Sequence, residues 1–458
     1  MVYLYSEVKM KKHRGLTAIL VLAVVLRAGV LLAAFYLPRG EMLTPDSEGY
    51  INLAQSLASQ GEFKEFDRPE IFRTPGYPVF LMLGGLLGAY LTVSLGAAIL
   101  VQVLLDVVVV FLTYRLGTFL VSRRVGLFAA CFQAITPLVV ASSCRVLSDS
   151  LYVFFFTAAV LLMVKHLRSG GWWTLLVSSA VLGAACYIRP VGQVMAVIFA
   201  LSLLSAPRRW RRVAAFAAVF AACLAPWVIR NAVVADYYGF SSYAGDAMYF
   251  FAVPELRARE GNLNAQDLRD ELRREESDKL SSAGQPLPSV GQTARRRMRE
   301  ALRVIFENPG AYARIHLKGG VGFWVPGATD VLEEVGLSRG NRGTVDVLHR
   351  DGLLAAVKHY FGENILGMMV AAPLVLVFLV KYVGVALCVF VRVRFRFPAE
   401  VWLLVGVVVV SAILPGPFGL PRYRLPVAPL LSIAAAVGWL IVVKALRRKE
   451  PRGGTVNE

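Results

Sequence analysis

Long apolar segments recur along the chain, and mostly short polar connections separate them. A helix needs about 20 apolar residues to cross the hydrocarbon core of a bilayer. The segments that reach or approach this length predict about ten spans. They cover residues 16–37, 93–119, 125–143, 150–167, 172–188, 190–206, 213–231, 366–391, 399–415 and 424–444. The pattern predicts an all-α polytopic membrane protein.

The polar stretch Leu43–Pro78 follows the first span and has a different pattern. Thr44 and Pro45 are typical of a helix start, with acidic residues in the first turn. Apolar residues then recur at helical spacing until Gly61. This predicts a short amphipathic helix on the membrane surface. Pro75–Gly88 is interpreted as a second juxtamembrane helix, because it is short and rich in glycine.

Composition agrees with a membrane protein. The 458 residues are 57% hydrophobic and 17% charged, with a mean hydropathy of +0.58 and a net charge of +18. The basic residues cluster beside apolar segments, so topology and anionic lipid headgroups explain them, and no nucleic-acid partner is expected. The five cysteines show neither metal-site spacing nor a disulfide framework.

Basic clusters predict the orientation. Lys and Arg residues precede the first span, which we interpret as a retained signal anchor, and they recur at every second connection. The positive-inside rule then puts both termini in the cytoplasm and the Leu43–Pro78 stretch outside. We expect a multi-pass protein of the plasma (inner) membrane of the cell envelope. Were Pro75–Gly88 a crossing, several basic clusters would change sides.

Three regions are expected. Residues 1–231 would form a membrane catalytic module with its first external loop at 38–92, and 366–458 would supply C-terminal spans and a basic cytoplasmic tail. The insertion 232–365 opens with a cluster of aromatic residues between Tyr237 and Phe251 and is mainly helical in pattern. It is too long for a structureless loop, so we expect it to lie outside the membrane and to fold over the site. Its apolar segment Tyr312–Val325 is interpreted as interfacial, with a true crossing as the alternative.

Acidic and basic residues collect at the external ends of several predicted spans. A single arginine at a span end commonly snorkels to the interface. Arginines from several connections on one face instead predict a cationic pocket for phosphate, because the guanidinium fork matches phosphate oxygens. The residues concerned are Asp46, Glu48, Arg73, Arg145, Asp149, Arg189, Arg230, Arg422 and Arg424.

This combination suits one reaction class. A carboxylate deprotonates an acceptor hydroxyl or amine while arginines stabilise a departing phosphate. Nucleotide-activated sugars are cytoplasmic, so an external site favours a lipid-borne donor. The residues therefore indicate glycosyl transfer from a polyprenyl phosphate to a glycan, lipid or protein acceptor on the extracytoplasmic membrane face.

Six dispersed motifs carry a family resemblance. They are Asp46…Tyr50…Ala54…Leu57…Gly61, Arg73–Pro78 (RTPGYP), Arg145…Leu147-Ser148-Asp149…Leu151, Arg189-Pro190, Ala225–Asn231 (APWVIRN) and Arg422–Pro429 (RYRLPVAP). In this order they resemble the integral-membrane GT-C glycosyltransferases, especially the protein O-mannosyltransferases and lipid A aminoarabinose transferases. A GT-C-like helical bundle with juxtamembrane helices is therefore expected.

The resemblance implies roles for these positions. Asp46 would be the catalytic base, Glu48 its neighbour or alternate, and Asp149 a second acid or a ligand of a divalent cation (Mg²⁺ or Mn²⁺) together with Asp46. The substrate-binding residues would be Tyr50, Arg73, Tyr77, Arg145, Arg189, Arg230, Asn231, Arg422, Tyr423 and Arg424. One departure is Ser47, which stands where those relatives have Glu after the Asp.

Two other classes of function are alternatives to the glycosyltransferase. A transporter or flippase of lipid-linked glycan would predict polar residues at the bilayer midplane and a repeated half. Gln102, Asp106 and Gln133 interrupt spans, but Asp106 also suits a helix-packing role. A non-catalytic scaffold would use the insertion as a docking surface. The motif order favours the glycosyltransferase.

Overall fold

The computed structural model describes residues 2–36, 42–86, 91–205, 208–261, 263–281, 288–326, 331–332, 344–361, 365–392 and 398–449. The end of the predicted basic tail (450–458) and parts of the external loop and insertion (37–41, 87–90, 327–330 and 333–343) lie outside the described residues.

Helices account for almost all of the described membrane region. They are α1 (Val2–Tyr36), α2 (Pro45–Gln60), α3 (Gly76–Leu86), α4 (Leu91–Leu120), α5 (Arg123–Ile135), α6 (Pro137–Cys144), α7 (Asp149–Ser169), α8 (Trp172–Ile188), α9 (Gly192–Leu203) and α10 (Arg209–Ala235). A small antiparallel hairpin, β1 (Lys64–Glu65) with β2 (Arg68–Pro69), lies between α2 and α3.

The insertion and the C-terminal region are also helical where they are described. The elements are α11 (Tyr243–Ala247), a π-turn (Met248–Ala252), α12 (Val253–Gly261), α13 (Ala265–Ser281), α14 (Val290–Glu307), α15 (Pro309–Gly320), α16 (Thr344–Phe361), α17 (Ile365–Arg392), α18 (Ala399–Ile413) and α19 (Ala428–Lys449). Short 3₁₀ turns cover Val321–Trp324, Gly416–Phe418 and Pro421–Val427.

Each predicted span is occupied by helix, but the lengths differ. Six stretches of the described chain are long and apolar enough to cross a membrane: 14–36, 95–120, 149–169, 209–235, 369–390 and 421–446. A seventh, α5 with α6, bends by 56° at a break. Pro137 occupies the first turn of α6, where its missing N–H costs nothing.

The remaining three predicted spans are short. The apolar helices α8, α9 and α18 have 17, 12 and 15 residues, which at 1.5 Å per residue gives roughly 18–26 Å. They fall short of the ~30 Å hydrocarbon core. The polytopic, all-α fold class is confirmed, and the predicted ten spans correspond to six long helices, one bent pair and three shorter helices.

Helix α7 lies at the centre of the bundle. Of its membrane-crossing window 67% is buried, against 11–17% for 14–36, 209–235 and 369–390. Aromatic rings link α7 to α9. Within α7, Tyr152 stacks on Phe156 with ring centroids 5.5 Å apart, and the centroid of Phe156 lies 6.2 Å from that of Phe199 in α9. This packing fixes the start of α7, where Asp149 lies.

The insertion has a core of its own. The predicted charged helix between Glu255 and Lys279 is two helices, α12 and α13, which bury Leu256 and Leu272. The predicted helix Ala294–Phe306 is part of α14. In the segment interpreted as interfacial, α15 is followed by a 3₁₀ turn, and this stretch is not among the described helices that could cross a membrane.

Candidate active site

The first turn of α2 is fixed to the segment that enters α7. Thr44 donates its backbone N–H to Ser47 Oγ (2.8 Å), and Ser47 Oγ donates to the carbonyl of Val146 (2.8 Å). The N–H of Val146 donates in turn to the carbonyl of Met42 (3.0 Å). Gly61 in the left-handed conformation (φ 69°) ends α2, as predicted. These bonds bring the helix starts that carry Asp46 and Asp149 together.

Asp46 forms an ion pair with Arg422. Arg422 Nη1 lies 2.7 Å from Asp46 Oδ2, and the side chains are 30% and 45% exposed. Burial alone would raise the pKa of Asp46, but the contact with Arg422, helped by Arg73 and Arg189, lowers it below the usual value. Asp46 is therefore ionised at neutral pH, in the form that accepts a proton.

Asp149 forms a second pair, with Arg189. The Asp149 side chain is buried (2% exposed), and Arg189 Nη1 donates to its Oδ1. Arg189 Cζ lies 6.0 Å from the ring centroid of Tyr423. The hydroxyl of Tyr423 lies 3.5 Å from that of Tyr243, which begins α11. The insertion therefore contributes a side chain next to the two ion pairs.

Arg73 reaches the same region from the first external loop. Its guanidinium lies against Gly49, where a Cβ atom would be 2.3 Å from Arg73 Cζ. Arg73 Cζ is also 5.5 Å from the ring centroid of Tyr50, and its Nη1 is 3.4 Å from Glu65 Oε2. The hydroxyl of Tyr50 lies 3.1 Å from Ser148 Oγ. Gly49 leaves room for the arginine beside Asp46.

Glu70 orients the backbone of Arg73. Its Oε1 accepts the N–H groups of Phe72 (2.5 Å) and Arg73 (2.6 Å). Burial, with a contribution from Glu65, raises the pKa of Glu70 from its usual value of 4.5 to about 7, although both backbone hydrogen bonds oppose this. A carboxyl that titrates near neutrality therefore lies under the Arg73 loop.

Three other predicted residues connect elements of the site. Tyr77 is fully buried, donates to Gln102 Oε1 (3.1 Å) and packs edge-on against Tyr50 (5.0 Å between centroids). Arg230 donates to the carbonyls of Glu70 and Phe63, each over 2.7 Å. Asn231 Nδ2 donates to the carbonyls of Gly239 (2.9 Å) and Phe240 (3.1 Å). Arg230 and Asn231 thus join α10 to the first external loop and to the insertion.

The last three predicted residues are Arg424, Arg145 and Glu48. Arg424 is buried and donates to the carbonyls of Phe323 and of Val325 (3.1 Å for the latter). The Arg145 carbonyl accepts from Gln102 Nε2 over 2.8 Å, and its side chain is partly buried. Glu48 is exposed and forms no ion pair with the described residues.

Several contributors were not predicted as site residues: Ser47, Glu70, Ser148 and Tyr243. In the sequence Ser47 is only a departure from the family pattern, but in the structure it is fully buried and donates to the carbonyl of Val146. A buried serine that bonds across 99 positions leaves no local pattern in the sequence. Tyr243 did belong to a predicted aromatic cluster, which gave a weak signal.

The described residues offer limited support for a bound metal ion. Within them, no group of three or more His, Cys, Asp or Glu side chains is placed to hold a metal. Asp46 and Asp149 would supply two carboxylates, and each already pairs with an arginine. These residues do not fit a divalent-cation site as they stand, so no chemical step is assigned to a metal.

Comparisons with known proteins agree with this architecture. The family model of dolichyl-phosphate-mannose-protein mannosyltransferases matches residues 74–229, which include Arg145, Asp149 and Arg189. No curated protein matches the chain.

The solved structures that match this chain belong to larger proteins. The oligosaccharyltransferase AglB from Archaeoglobus fulgidus, in complex with an inhibitory peptide and a dolichol-phosphate, has a TM-score of 0.54 at 14% identity over 98% of this chain and 53% of its own. Its apo form has a TM-score of 0.52 at 15% identity, with 98% and 53% covered. ArnT from Cupriavidus metallidurans bound to undecaprenyl phosphate gives 0.41 at 16% identity, with 93% and 79% covered.

The chain thus spans about half the length of AglB. Its described residues include several helices suited to crossing a membrane. The chain is therefore a multi-pass membrane protein with the fold of the GT-C glycosyltransferases, and its residues 74–229 match the dolichyl-phosphate-mannose-protein mannosyltransferase family.

Proposed function

We propose that this protein transfers a sugar from a polyprenyl-phosphate-linked donor to a glycan, lipid or protein acceptor, with Asp46 as the general base. The observation that carries the proposal is the contact between the ionised Asp46 and Arg422, beside Arg73 and Arg189. The family match and the dolichol-phosphate in the AglB complex support a lipid-linked donor.

The proposed reaction is a single displacement. Asp46 removes the proton from the acceptor hydroxyl or amine, and the acceptor atom forms a bond to the anomeric carbon of the sugar. The bond from that carbon to the phosphate oxygen breaks, and its electron pair leaves with the lipid phosphate. Arg73, Arg189 and Arg422 stabilise this developing charge, as bidentate donors to phosphate oxygens.

The ion pairs give each group a role before the donor binds. Asp149 is buried, so it holds the Arg189 guanidinium in one orientation next to Tyr423. Arg422 contacts Asp46, and a donor phosphate would compete for this arginine and free the carboxylate to accept a proton. Tyr243 of the insertion lies next to Tyr423 of the 3₁₀ turn, in line with a capping role for 232–365.

The basic clusters support an orientation in the plasma (inner) membrane with both termini cytoplasmic and the site extracytoplasmic. A thiol reagent that does not cross membranes should label Glu48→Cys in intact cells, because Glu48 is exposed next to the site. Labelling only after the cells are opened would reject this orientation.

The buried pair Arg27–Asp106 does not favour transport of the lipid-linked glycan. Arg27 and Asp106, two fully buried charges of the membrane helices, pair with each other at 2.5 Å. They are therefore occupied as a helix-packing contact rather than open to a substrate.

The test compares Asp46→Asn with Glu48→Gln in membranes supplied with radiolabelled polyprenyl-phosphate sugar. Loss of a general base typically lowers the rate about 10²–10⁴-fold, so Asp46→Asn should be nearly inactive. Glu48→Gln is the matched control, since it removes a neighbouring charge outside the ion pair and should transfer sugar normally. Transfer by Asp46→Asn at the wild-type rate would reject the mechanism.

A further inference from the structure

A small cleft, partly open to the surroundings, lies beside the 3₁₀ turn that carries Arg422 and Arg424. Its walls come from α17, the start of α6 and the 3₁₀ turn before α19. Most of the lining is apolar, but Lys381 and Arg424 also face this space.

Lys381 is buried within the membrane region, with 3% of its surface exposed. Its ammonium lies 3.1 Å from Thr136 Oγ1 and 3.3 Å from the carbonyl of Ala428, both of which are neutral. No carboxylate of the described residues lies within ion-pair distance of it. Arg424 lines the same cleft, so a second cation faces this space. The positive charge of Lys381 is therefore not balanced by the described part of the protein.

The buried arginine Arg27 shows a different arrangement. It pairs with Asp106 at 2.5 Å, and both side chains are almost fully buried. A charge within the membrane is costly, which explains why such groups usually have a partner. A cavity that contains one such cation beside a second one favours an anion as its occupant.

The position of the cleft indicates where that anion comes from. Helix α17 lies at the edge of the bundle, since its window 369–390 is only 11% buried. Leu376 and Leu379 are 59% and 51% exposed, so the helix offers an apolar surface to lipid chains beside the cleft. An amphiphile could place its head in the cleft and its tail along α17.

We propose that this cleft binds the phosphate group of a membrane lipid, at a site distinct from the Asp46–Arg422 pair. The ammonium of Lys381 and the guanidinium of Arg424 would hold the phosphate oxygens. Arg424 is two positions from Arg422 in one 3₁₀ turn, so the occupant would also steady the turn that carries the catalytic-site arginine. The site does not depend on sugar transfer.

Native mass spectrometry of the purified full-length protein tests the site. Polyprenyl phosphate, phosphatidylglycerol, polyprenol without phosphate, and inorganic phosphate are titrated separately. We expect at least one of the two phosphate lipids to bind, and polyprenol to bind far more weakly. Lys381→Met should weaken that binding about tenfold or more, while the matched control Lys444→Met, at an exposed lysine of α19, should not change it.

Further variants keep the result decisive. Lys381→Gln removes the charge but retains a donor for the Ala428 carbonyl, so it covers the case in which Lys381→Met does not fold. Lys381→Gln should bind the phosphate lipid as weakly as Lys381→Met. Arg189→Met removes a contact of the proposed donor site only, and the Lys381-dependent lipid should persist in it even if no sugar is transferred. Equal affinity of wild-type, Lys381→Met and Lys381→Gln proteins for every lipid, or binding of inorganic phosphate alone, would overturn the proposal.

Discussion

The ion pair between α1 and α4 gives a sharp test of the fold. Arg27 Nε donates to Asp106 Oδ2 over 2.6 Å, and Nη1 donates to the carbonyls of Ala23 (3.0 Å) and Ala134 (3.2 Å). Asp106→Leu would remove the carboxylate and leave a buried guanidinium bonded to backbone carbonyls alone. We expect this single variant to be severely destabilised.

The size of the expected destabilisation follows from the burial of both side chains. The side chains of Arg27 and Asp106 are 0% and 2% exposed, so no solvent compensates when one partner is lost. Removal of one partner from a buried pair costs about 3–5 kcal/mol, whereas replacement of both by apolar residues is often neutral or stabilising. The double variant Arg27→Met/Asp106→Leu should therefore recover most of the stability that Asp106→Leu loses.

Unfolding in mixed detergent, followed by circular dichroism, measures the four proteins of this double-mutant cycle. The pair Arg257–Glu300 is the control, because it has a similar separation (2.8 Å) with side chains 40% and 29% exposed. Its single variants should cost about 1 kcal/mol or less. If the double variant is no more stable than Asp106→Leu, or if both pairs behave alike, the reasoning from burial is wrong.

Two further predictions concern the Arg73 loop. Because the pKa of Glu70 in the folded protein is about 7 against a usual 4.5, the folded state holds a proton that the unfolded state has lost, so stability should fall as pH rises between these values. Glu70→Gln keeps the Oε1 acceptor, so it should unfold at a higher temperature than wild type at pH 8 and at a similar temperature at pH 4.5. A difference in unfolding temperature that is the same at both pH values would contradict this. Gly49→Ala should keep the fold but displace the Arg73 guanidinium, and it should raise the KM for the donor about tenfold. Gly29→Ala is the control, because Gly29 has open space around it, and it should leave this KM unchanged. An unchanged KM in Gly49→Ala would exclude Arg73 from donor binding.

The sequence predicted local features well. Thr44, Pro45 and Gly61 define the bounds of α2 through backbone chemistry that acts within a few residues, and the structure has α2 at Pro45–Gln60. The apolar segments were also located correctly, because hydrophobicity is a local property. Helix α8 has the predicted bounds 172–188, whereas α9 and α18 are shorter than the predicted 190–206 and 399–415, because turns and proline interrupt them.

The pairing of charges could not be read from the sequence. The arginines and carboxylates at the external ends of spans were recognised as a group, but Asp149 could have paired with any of them. Asp106 was recognised as an interruption, and its partner lies 79 positions away. The hydrogen bonds of Tyr77 to Gln102 and of Arg424 to the carbonyls of Phe323 and Val325 likewise depend on packing between distant parts of the chain.

The Asp46–Arg422 pair has a consequence for biogenesis. Its two members are separated by 376 positions. At about 5–20 residues per second, the ribosome needs roughly 20–75 s to make the second after the first. The nascent chain therefore inserts most of its helices before the carboxylate meets its guanidinium. A polypeptide that stalls before the last span would be assembled in the bilayer with Asp46 lacking its partner.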